Sequence, residues 1–441
     1  MSLQNDVHDE MEDLKGTIPS TFISILSNVI GGGILAISLA LHYTSIVPGL
    51  CIFTVVTVIS LLSMSMLIEM SEHTKCFSYM EICHFAFEKA MGNSVKDDQN
   101  TVLSIHSEAE KNQVTRGEKV IIALVELTIL VYTFSCCVMY IIIIGDSMEP
   151  LSQHWLQMIG FCSSSHFWIL VSIPILWALS SIKQITDLKV ISVLSFLTIL
   201  YLAVVACFKY YEVTVARHAW LADTMELASF KAEFFKAIPI FTVCYGMHYN
   251  IPPLYKELRG RSIQKMNRAL YPSYLIITAL YLLVGLFGYF HFGSAVTKHG
   301  GDLLAQYSES DLWINIGRLL MIVHFLFVFP LLSIGCRRSI NLFIFKGEDG
   351  ISLKTRLIEA LVIVALATGM AILSRGISNV LALSGSLCGV HIITTIPALM
   401  YRKIFYRSIS RWMSLVVVVL TATGIFFSMA GLTAQIYSMI Q

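Results

Sequence analysis

Two ionisable residues lie inside long apolar stretches of this chain, where proton transfer is the chemistry they could perform. His324 and Glu126 are each flanked by runs of apolar residues. Such a residue costs about 2.5–3.5 kcal/mol when it faces lipid, so its presence indicates a proton or ion pathway. Histidine changes charge between pH 5 and 8, and a buried carboxylate can titrate or pair with a cation. Both residues are therefore candidates for proton coupling.

Each of these residues also has an alternative interpretation. The alternative for His324, and the more common case, is a neutral histidine that is hydrogen-bonded within the core. Glu126 lies six to seven residues into an apolar run, beside Thr128. It could select a cationic substrate by pairing with it, or it could be a carboxylate in a water-filled cytoplasmic vestibule. The sequence alone leaves these alternatives open.

A second type of chemistry is indicated by three adjacent glycines, Gly31, Gly32 and Gly33, in the middle of an apolar segment. Each costs a helix interior about 1 kcal/mol relative to alanine, so the pattern predicts a broken helix. The half-helix beginning near Ile34 would direct free N–H groups and its positive dipole end at the break, where a carboxylate could bind. The alternative is a glycine face that lets a neighbouring helix pack closely.

A similar interruption occurs later in the chain, and it ends in Pro252 and Pro253, each of which removes a backbone donor. The polar run before these prolines contains the candidate site residues Tyr245, Gly246, His248 and Asn250. The two interruptions are five apolar spans apart. This separation predicts an inverted 5+5 repeat whose first and sixth helices are broken and face each other near the bilayer midplane.

The composition indicates an all-α integral membrane protein. The 441 residues are 56% hydrophobic and 13% charged, whereas a soluble protein carries about 25% charged residues. The net charge of +1 gives no reason to expect a nucleic-acid partner. Apolar runs of about 20 residues predict about eleven transmembrane helices, at 18–41, 47–70, 120–144, 167–182, 189–208, 234–255, 271–292, 312–334, 357–374, 377–401 and 413–437.

The distribution of Lys and Arg predicts a cytosolic N-terminus. With this orientation 23 of the 30 basic residues fall in cytoplasmic segments and 7 on the other side. The predicted organisation is a cytoplasmic tail (1–17), a first five-helix repeat (18–208) with a long cytoplasmic loop (71–119), an external loop (209–233), a second five-helix repeat (234–401), and an eleventh helix with the C-terminus (402–441).

Three motifs resemble the amino acid/auxin permease family, particularly its sodium-coupled neutral amino acid transporter branch and its vacuolar and lysosomal relatives. Residues 27–35 read SNVIGGGIL, residues 137–146 read CVMYIIIIGD, and His248 is followed by PLYKEL at residues 253–258. They are similar to that family's S-N-x-x-G-x-G-I-L, C-V-x-Y-x-I-I-I-G-D and H-x(4)-P-x-Y-x-E-L, in the same order. The resemblance covers nearly the whole chain except the loop 71–119.

The resemblance implies a LeuT-type fold with an added C-terminal helix that moves amino acids by alternating access. It implies that the backbone from Gly31 to Ile34 holds the substrate carboxylate and that Tyr140 faces the substrate. The break at residues 245–250 would receive the amino group on backbone carbonyls. In the sodium-coupled branch, an asparagine that corresponds to Asn28 contributes to the ion site, so Asn28 is also a candidate site residue.

One departure from the family pattern argues against sodium. The eighth predicted span contains no Ser or Thr between Val323 and Pro330, whereas sodium needs a cage of oxygen ligands. A proton is therefore the expected coupling ion, with no cofactor or bound metal. Patterns typical of hydrolases and phosphate loops do not occur, so the chain is not expected to be an enzyme.

The sequence predicts a secondary active transporter, with an amino acid and the lipid bilayer as its partners. The alternative is a transporter-like amino acid sensor that binds its ligand and signals through the loop 71–119 without bulk flux. Both the plasma membrane and a vacuolar or lysosomal membrane fit the pattern. The sequence does not decide which amino acid is carried or the oligomeric state.

Overall fold

The computed structural model is helical, and it describes residues 16–29, 31–89, 116–182, 188–217, 224–230, 233–345, 352–374 and 376–440. The helices are, in chain order, α1 (Ile18–Val29), α2 (Gly33–Thr44), α3 (Ile46–Thr74), α4 (Tyr79–His84), α5 (Arg116–His154), α6 (Ser165–Ser180), α7 (Leu188–Arg217), α8 (Phe234–Val243), α9 (Ile251–Glu257), α10 (Ile263–Phe292), α11 (Leu312–Phe345), α12 (Leu353–Leu373), α13 (Ile377–Ser384), α14 (Ile396–Ile404) and α15 (Arg411–Ile440). Two π-helical turns join α13 to α14, at Gly385–Gly389 and His391–Thr395.

Eight helices of the described chain are long and apolar enough to cross a membrane. They are α3, α5, α7, α10, α11, α12, the continuous segment from α13 to α14, and α15. The pair α1 and α2 adds a ninth if the two are counted as one span bent by 59°. Helices lie in all eleven predicted regions, but α6 has 16 residues, and the predicted span 234–255 is divided into helices of 10 and 7 residues. The count of eleven spans stays a prediction.

The first break lies at the glycine run, as the sequence predicts. Helix α1 ends at Val29 and α2 begins at Gly33, with Gly32 as its N-cap residue. Gly32 contributes no side chain to cap the helix, so the N-terminal backbone groups of α2 remain directed toward the break.

The second break differs in detail from the expectation. The prolines do not interrupt a helix, because Pro252 and Pro253 lie in the first turn of α9. A helix tolerates proline there, since the missing N–H has no partner within the helix. The interruption comes earlier, where α8 ends at Val243 and a short 3-10 turn, His248–Asn250, leads into α9.

Two long helices position the breaks. Helix α5 packs against α6, α11, α12 and α13, while α10 packs against α1, α2 and α7. Helix α2 in turn packs against α8, which brings the two broken helices together. The division into two five-helix repeats stays a prediction. Residues 1–15 of the predicted tail and residues 90–115 of the predicted cytoplasmic loop lie outside the described residues.

Candidate functional site

The two helix breaks face each other. A Cβ atom placed on Gly33 would lie 2.9 Å from Cys244 Sγ and 3.4 Å from Cys244 Cα, so the backbones meet at the start of α2 and the end of α8. A hydrogen bond also joins the breaks, in which Asn250 Nδ2 donates to Asn28 Oδ1 at 2.9 Å. The structure therefore brings residues 222 positions apart into one place.

The three glycines have three different surroundings. A Cβ on Gly31 would lie 3.4 Å from the Tyr140 hydroxyl, whereas a Cβ on Gly32 would lie 2.6 Å from Ile143 Cδ1. Gly33 faces Cys244, as described above. Gly31 is thus the glycine beside Tyr140, while Gly32 and Gly33 allow α5 and α8 to approach closely. Both interpretations of the glycine run apply, at different positions.

The start of α2 has the electrostatics expected of a carboxylate site. This helix has 12 residues, and its N-terminus at Gly33 carries the positive end of the helix dipole. The Ile34 amide reaches the Gly31 carbonyl at a long 3.5 Å, and the Leu35 amide reaches the Gly32 carbonyl at 3.2 Å. The side chain of Ile34 is fully buried in the core.

Aromatic side chains from α5 and α11 surround the breaks. The Tyr140 ring packs on Phe325, with ring centroids 4.3 Å apart. Two helical turns earlier on α5, the Tyr132 hydroxyl occupies the position that a Cβ on Gly246 would need. The Tyr132 ring also contacts Tyr249 edge-on, at 6.3 Å. Gly246 is therefore required for close approach to α5.

Tyr132, Tyr249 and Phe325 are not among the site residues that the sequence predicts. Tyr249 could have been inferred from its place between two residues of the second interruption, His248 and Asn250. Tyr132 and Phe325 give no comparable signal, because aromatic residues in an apolar span are usually core residues. Their proximity to the breaks depends on contacts between helices that are distant in the sequence.

The side chains of two predicted site residues are fully buried. The Tyr245 hydroxyl lies 2.8 Å from Thr57 Oγ1 and 2.9 Å from Thr278 Oγ1, and its ring stacks on Tyr274. His248 is fully buried. A contact of these two residues with a substrate stays a prediction.

His324 is connected to α1 by hydroxyl groups of α7. His324 is 1% exposed, and its Nδ1 lies 2.9 Å from Ser195 Oγ. One turn earlier on α7, Ser192 Oγ accepts a 2.9 Å hydrogen bond from Ser27 Oγ. Ser27 is adjacent to Asn28 at the first break. The histidine thus lies beside polar groups that extend toward the first break.

Glu126 does not belong to the group of residues at the breaks. It lies six residues before Tyr132 on α5, which is about 9 Å along the helix axis. Its Oε1 lies 4.0 Å from His84 Nε2, and His84 in turn lies 3.1 Å from Glu88. This position fits the vestibule interpretation, and it does not place the carboxylate beside a substrate at the breaks.

The connection between α10 and α11 packs along the N-terminal half of α2. The Leu303 amide donates a 3.1 Å hydrogen bond to the Leu35 carbonyl. Gly376, with φ of 116°, comes so close to Gly300 that a Cβ would lie 2.6 Å from Gly300 Cα. We refer to residues 293–311 as the cap, since they are wedged between α2 and α13.

Buried charged groups hold the cap. Arg318 is 1% exposed, and it donates to Asn315 Oδ1 at 2.6 Å and to the Leu304 carbonyl at 2.8 Å. Asp302 is equally buried and accepts from the Leu304 amide at 2.8 Å. Burial, followed by the nearby negative charge of Asp146, raises the pKa of Asp302 to about 7, although Arg318 opposes this rise.

The fold agrees with that of known membrane transporters. MhsT in complex with L-phenylalanine matches with a TM-score of 0.56 over 94% of this chain and 98% of its own, at 12% identity. A sodium-coupled sialic acid symporter matches with a TM-score of 0.51 over 96% of this chain and 89% of its own, at 13% identity. These likenesses show the fold alone, and they confirm the expected LeuT-type architecture.

Relatives of known function are similar in sequence. The amino acid transporter AVT6E of Arabidopsis thaliana is 25% identical, over 98% of this chain and 86% of its own length. Vacuolar amino acid transporter 5 of Schizosaccharomyces pombe is 26% identical, over 63% and 65% of the two chains. Sodium-coupled neutral amino acid transporter 7 of Danio rerio is 27% identical, over 65% and 64%. The relatives are named as transporters, which agrees with the expectation that the chain has a non-enzymatic function.

The family model described as "Transmembrane amino acid transporter protein" matches residues 14–441, which is nearly the whole chain. The match confirms the resemblance that the three motifs indicated. The chain belongs to the transmembrane amino acid transporter family.

Proposed function

We propose that this protein carries amino acids across a membrane by alternating access, with protons as the coupling ion. The observation that supports the proposal best is the meeting of the two helix breaks, where Asn250 bonds to Asn28 and Gly33 contacts Cys244. A site between broken helices is typical of transporters that bind the substrate near the bilayer midplane.

In the proposed binding mode, the substrate carboxylate lies at the N-terminal end of α2, beside Gly31 and the Tyr140 hydroxyl. The amino group lies against the backbone carbonyls at the C-terminal end of α8, where the helix dipole is negative. The side chains that line the breaks are neutral amides and phenols, from Asn28, Asn250 and Tyr132. These groups fit a substrate with an uncharged side chain, as does the name of the Danio rerio relative.

His324 is the proposed proton-coupling residue. Its bond to Ser195 and the neighbouring pair Ser192–Ser27 place exchangeable groups between α11 and the first break. Protonation of His324 would add a charge beside Phe325 and Tyr140, which face the proposed carboxylate position. A proton bound there would favour binding of the anionic end of the substrate. Glu126 is a second candidate, in the vestibule.

The proposed orientation has the N-terminus in the cytosol, because basic residues are concentrated in the segments on that side. Relatives from Schizosaccharomyces pombe and Saccharomyces cerevisiae are named as vacuolar transporters, which favours a vacuolar or lysosomal membrane. In this orientation the cap covers the luminal side, and Asn28 is exposed toward the cytosol.

Uptake into proteoliposomes tests the proposal. The purified protein is reconstituted and offered a panel of radiolabelled amino acids under a pH gradient, a sodium gradient or neither, with protein-free liposomes as the control. We expect accumulation under the pH gradient that a protonophore abolishes. Accumulation under sodium alone would contradict proton coupling. Saturable binding without flux under any gradient would favour the sensor instead.

A further inference from the structure

Helix α10 is attached to both halves of the broken first helix. Near its start, Ser273 Oγ donates to the Phe22 carbonyl of α1 at 3.2 Å. Three turns later, Ser38 Oγ of α2 donates to the Gly285 carbonyl at 3.1 Å. Helix α10 is continuous over 30 residues, whereas α1 and α2 are separate pieces. One rigid helix therefore spans the break on its outer side.

Tyr281 of α10 lies at the break itself, between these two attachments. Its hydroxyl donates to the carbonyl of Val29, the last residue of α1, at 2.9 Å. Tyr281 is fully buried. Carbonyls at the end of a helix have no partner within the helix, and at membrane depth no bulk water replaces one. The Tyr281 hydroxyl supplies the partner that the interrupted helix lacks.

The residues of α10 that contact the broken first helix lie on one side of α10. Ser273, Tyr281 and Gly285 are separated by eight and four residues, so they lie on one side of the helix. Gly285 and Gly288 leave room on that side, because a Cβ on either would overlap Ile37 or Ser38. The close approach of α2 to α10 therefore depends on small residues. The longer side chain of Tyr281 reaches the gap between α1 and α2.

We propose that Tyr281 is a positioning residue, which holds the first helix in its broken form so that the backbone at the start of α2 faces the substrate. The inference deepens the proposed function, because it assigns a role to a residue that need not contact the substrate. Without the hydroxyl, the Val29 carbonyl would need another partner, and the orientation of the N-terminal amides of α2 would vary.

The substitution Tyr281→Phe removes only the hydroxyl and keeps the ring. Tyr274→Phe is the matched control, since Tyr274 lies on the same helix, is also fully buried, and bonds through its hydroxyl to Ser60 Oγ at 3.0 Å, away from the break. Two measurements are made on both variants and on the wild type: hydrogen–deuterium exchange of residues 24–36, and the KM and maximal rate of uptake.

We expect Tyr281→Phe to accelerate exchange in residues 24–36 and to raise KM about fivefold, the factor that one hydrogen bond contributes. Tyr274→Phe should change neither. Unchanged exchange in Tyr281→Phe, or equal acceleration in the two variants, would overturn the inference. So would a change confined to the maximal rate. If the wild type shows no uptake, the proposed function fails, while the exchange measurement still decides the role of Tyr281.

Discussion

The helix breaks and the cap both bury polar groups, but they use different chemistry. At the breaks, the bonds run between amides, hydroxyls and backbone groups, as in Asn250 to Asn28 and Tyr281 to Val29. In the cap, the buried groups are the guanidinium of Arg318 and the carboxyl of Asp302. The breaks depend on neutral hydrogen bonds. The cap contains ionisable groups, and burial raises the pKa of one of them, Asp302.

This difference suits the two regions to different tasks. Neutral hydrogen bonds contribute about 0.5–1.5 kcal/mol each, so they can be exchanged for bonds to a substrate at little cost. Hydrogen bonds to a charged group such as the Arg318 guanidinium contribute about 1.5–3 kcal/mol each. The cap is thus held firmly at a given pH, and its stability depends on the protonation of Asp302. The breaks should respond to substrate, and the cap to external or luminal pH.

The largest effect that we expect at the breaks is that of Gly246→Ala. The added methyl group would overlap the Tyr132 hydroxyl, and overpacking of this kind costs about 1–3 kcal/mol. If that cost falls on the transport cycle, uptake should decrease by at least about fivefold. Gly369→Ala is the control, because a Cβ there meets nothing within 4 Å. Normal uptake by Gly246→Ala would show that close packing at the second break is not needed.

His324→Gln tests whether a titratable side chain near the breaks takes part in transport. Glutamine can retain a hydrogen bond to Ser195, but it cannot carry a proton. We expect accumulation driven by a pH gradient to fall several-fold, with exchange uptake at equal pH largely preserved. His391→Gln is the control, since His391 also lies in an apolar helix and bonds to Thr395 and Ser428. An unchanged pH response would identify His324 as a core histidine.

The position of the breaks could be predicted from sequence because it depends on local chemistry. Gly31, Gly32 and Gly33 disfavour a helix wherever they occur, and the resemblance to a known family connected Tyr140 with them. The surroundings of each glycine could not be predicted. They depend on Ile143 and Cys244, which approach from other helices.

The prediction was less accurate where a residue has more than one structural use. Pro252 and Pro253 were expected to interrupt a helix, yet they begin one, because the first turn does not need their N–H groups. Tyr281 and Tyr132 are ordinary aromatic residues in apolar spans. Only the helix packing distinguishes Tyr281 from Tyr274, its neighbour two turns away, and packing of this kind has no local sequence signal.

A smaller effect is expected from removing the amide that joins the two breaks. Asn250→Ala should raise KM by a few-fold, because the lost hydrogen bond to Asn28 is neutral and leaves the helices packed. Asn379→Ala is a matched control, since Asn379 accepts a bond of the same 2.9 Å length from Gln435 in another part of the protein. Equal changes in the two variants would indicate a general loss of stability.

Asp302→Asn tests the pH dependence of the cap and should have the smallest effect. The pKa of Asp302 is raised in the folded protein to about 7, so the protonated form is favoured and the stability of the wild type falls as pH rises from about 4 through about 7. Other groups in this region are Asp146 and Arg318, with His299 beside Asp146. Asparagine is neutral at every pH.

The melting temperature of purified Asp302→Asn should therefore exceed that of the wild type at pH 8 by a few degrees, and the difference should shrink toward pH 5. Glu309→Gln provides the control, because Glu309 is an exposed carboxylate in the same cap. A difference that is constant with pH would mean that Asp302 does not titrate between these values. In that case the cap would differ from the breaks only in the buried charge of Arg318, and not in its response to pH.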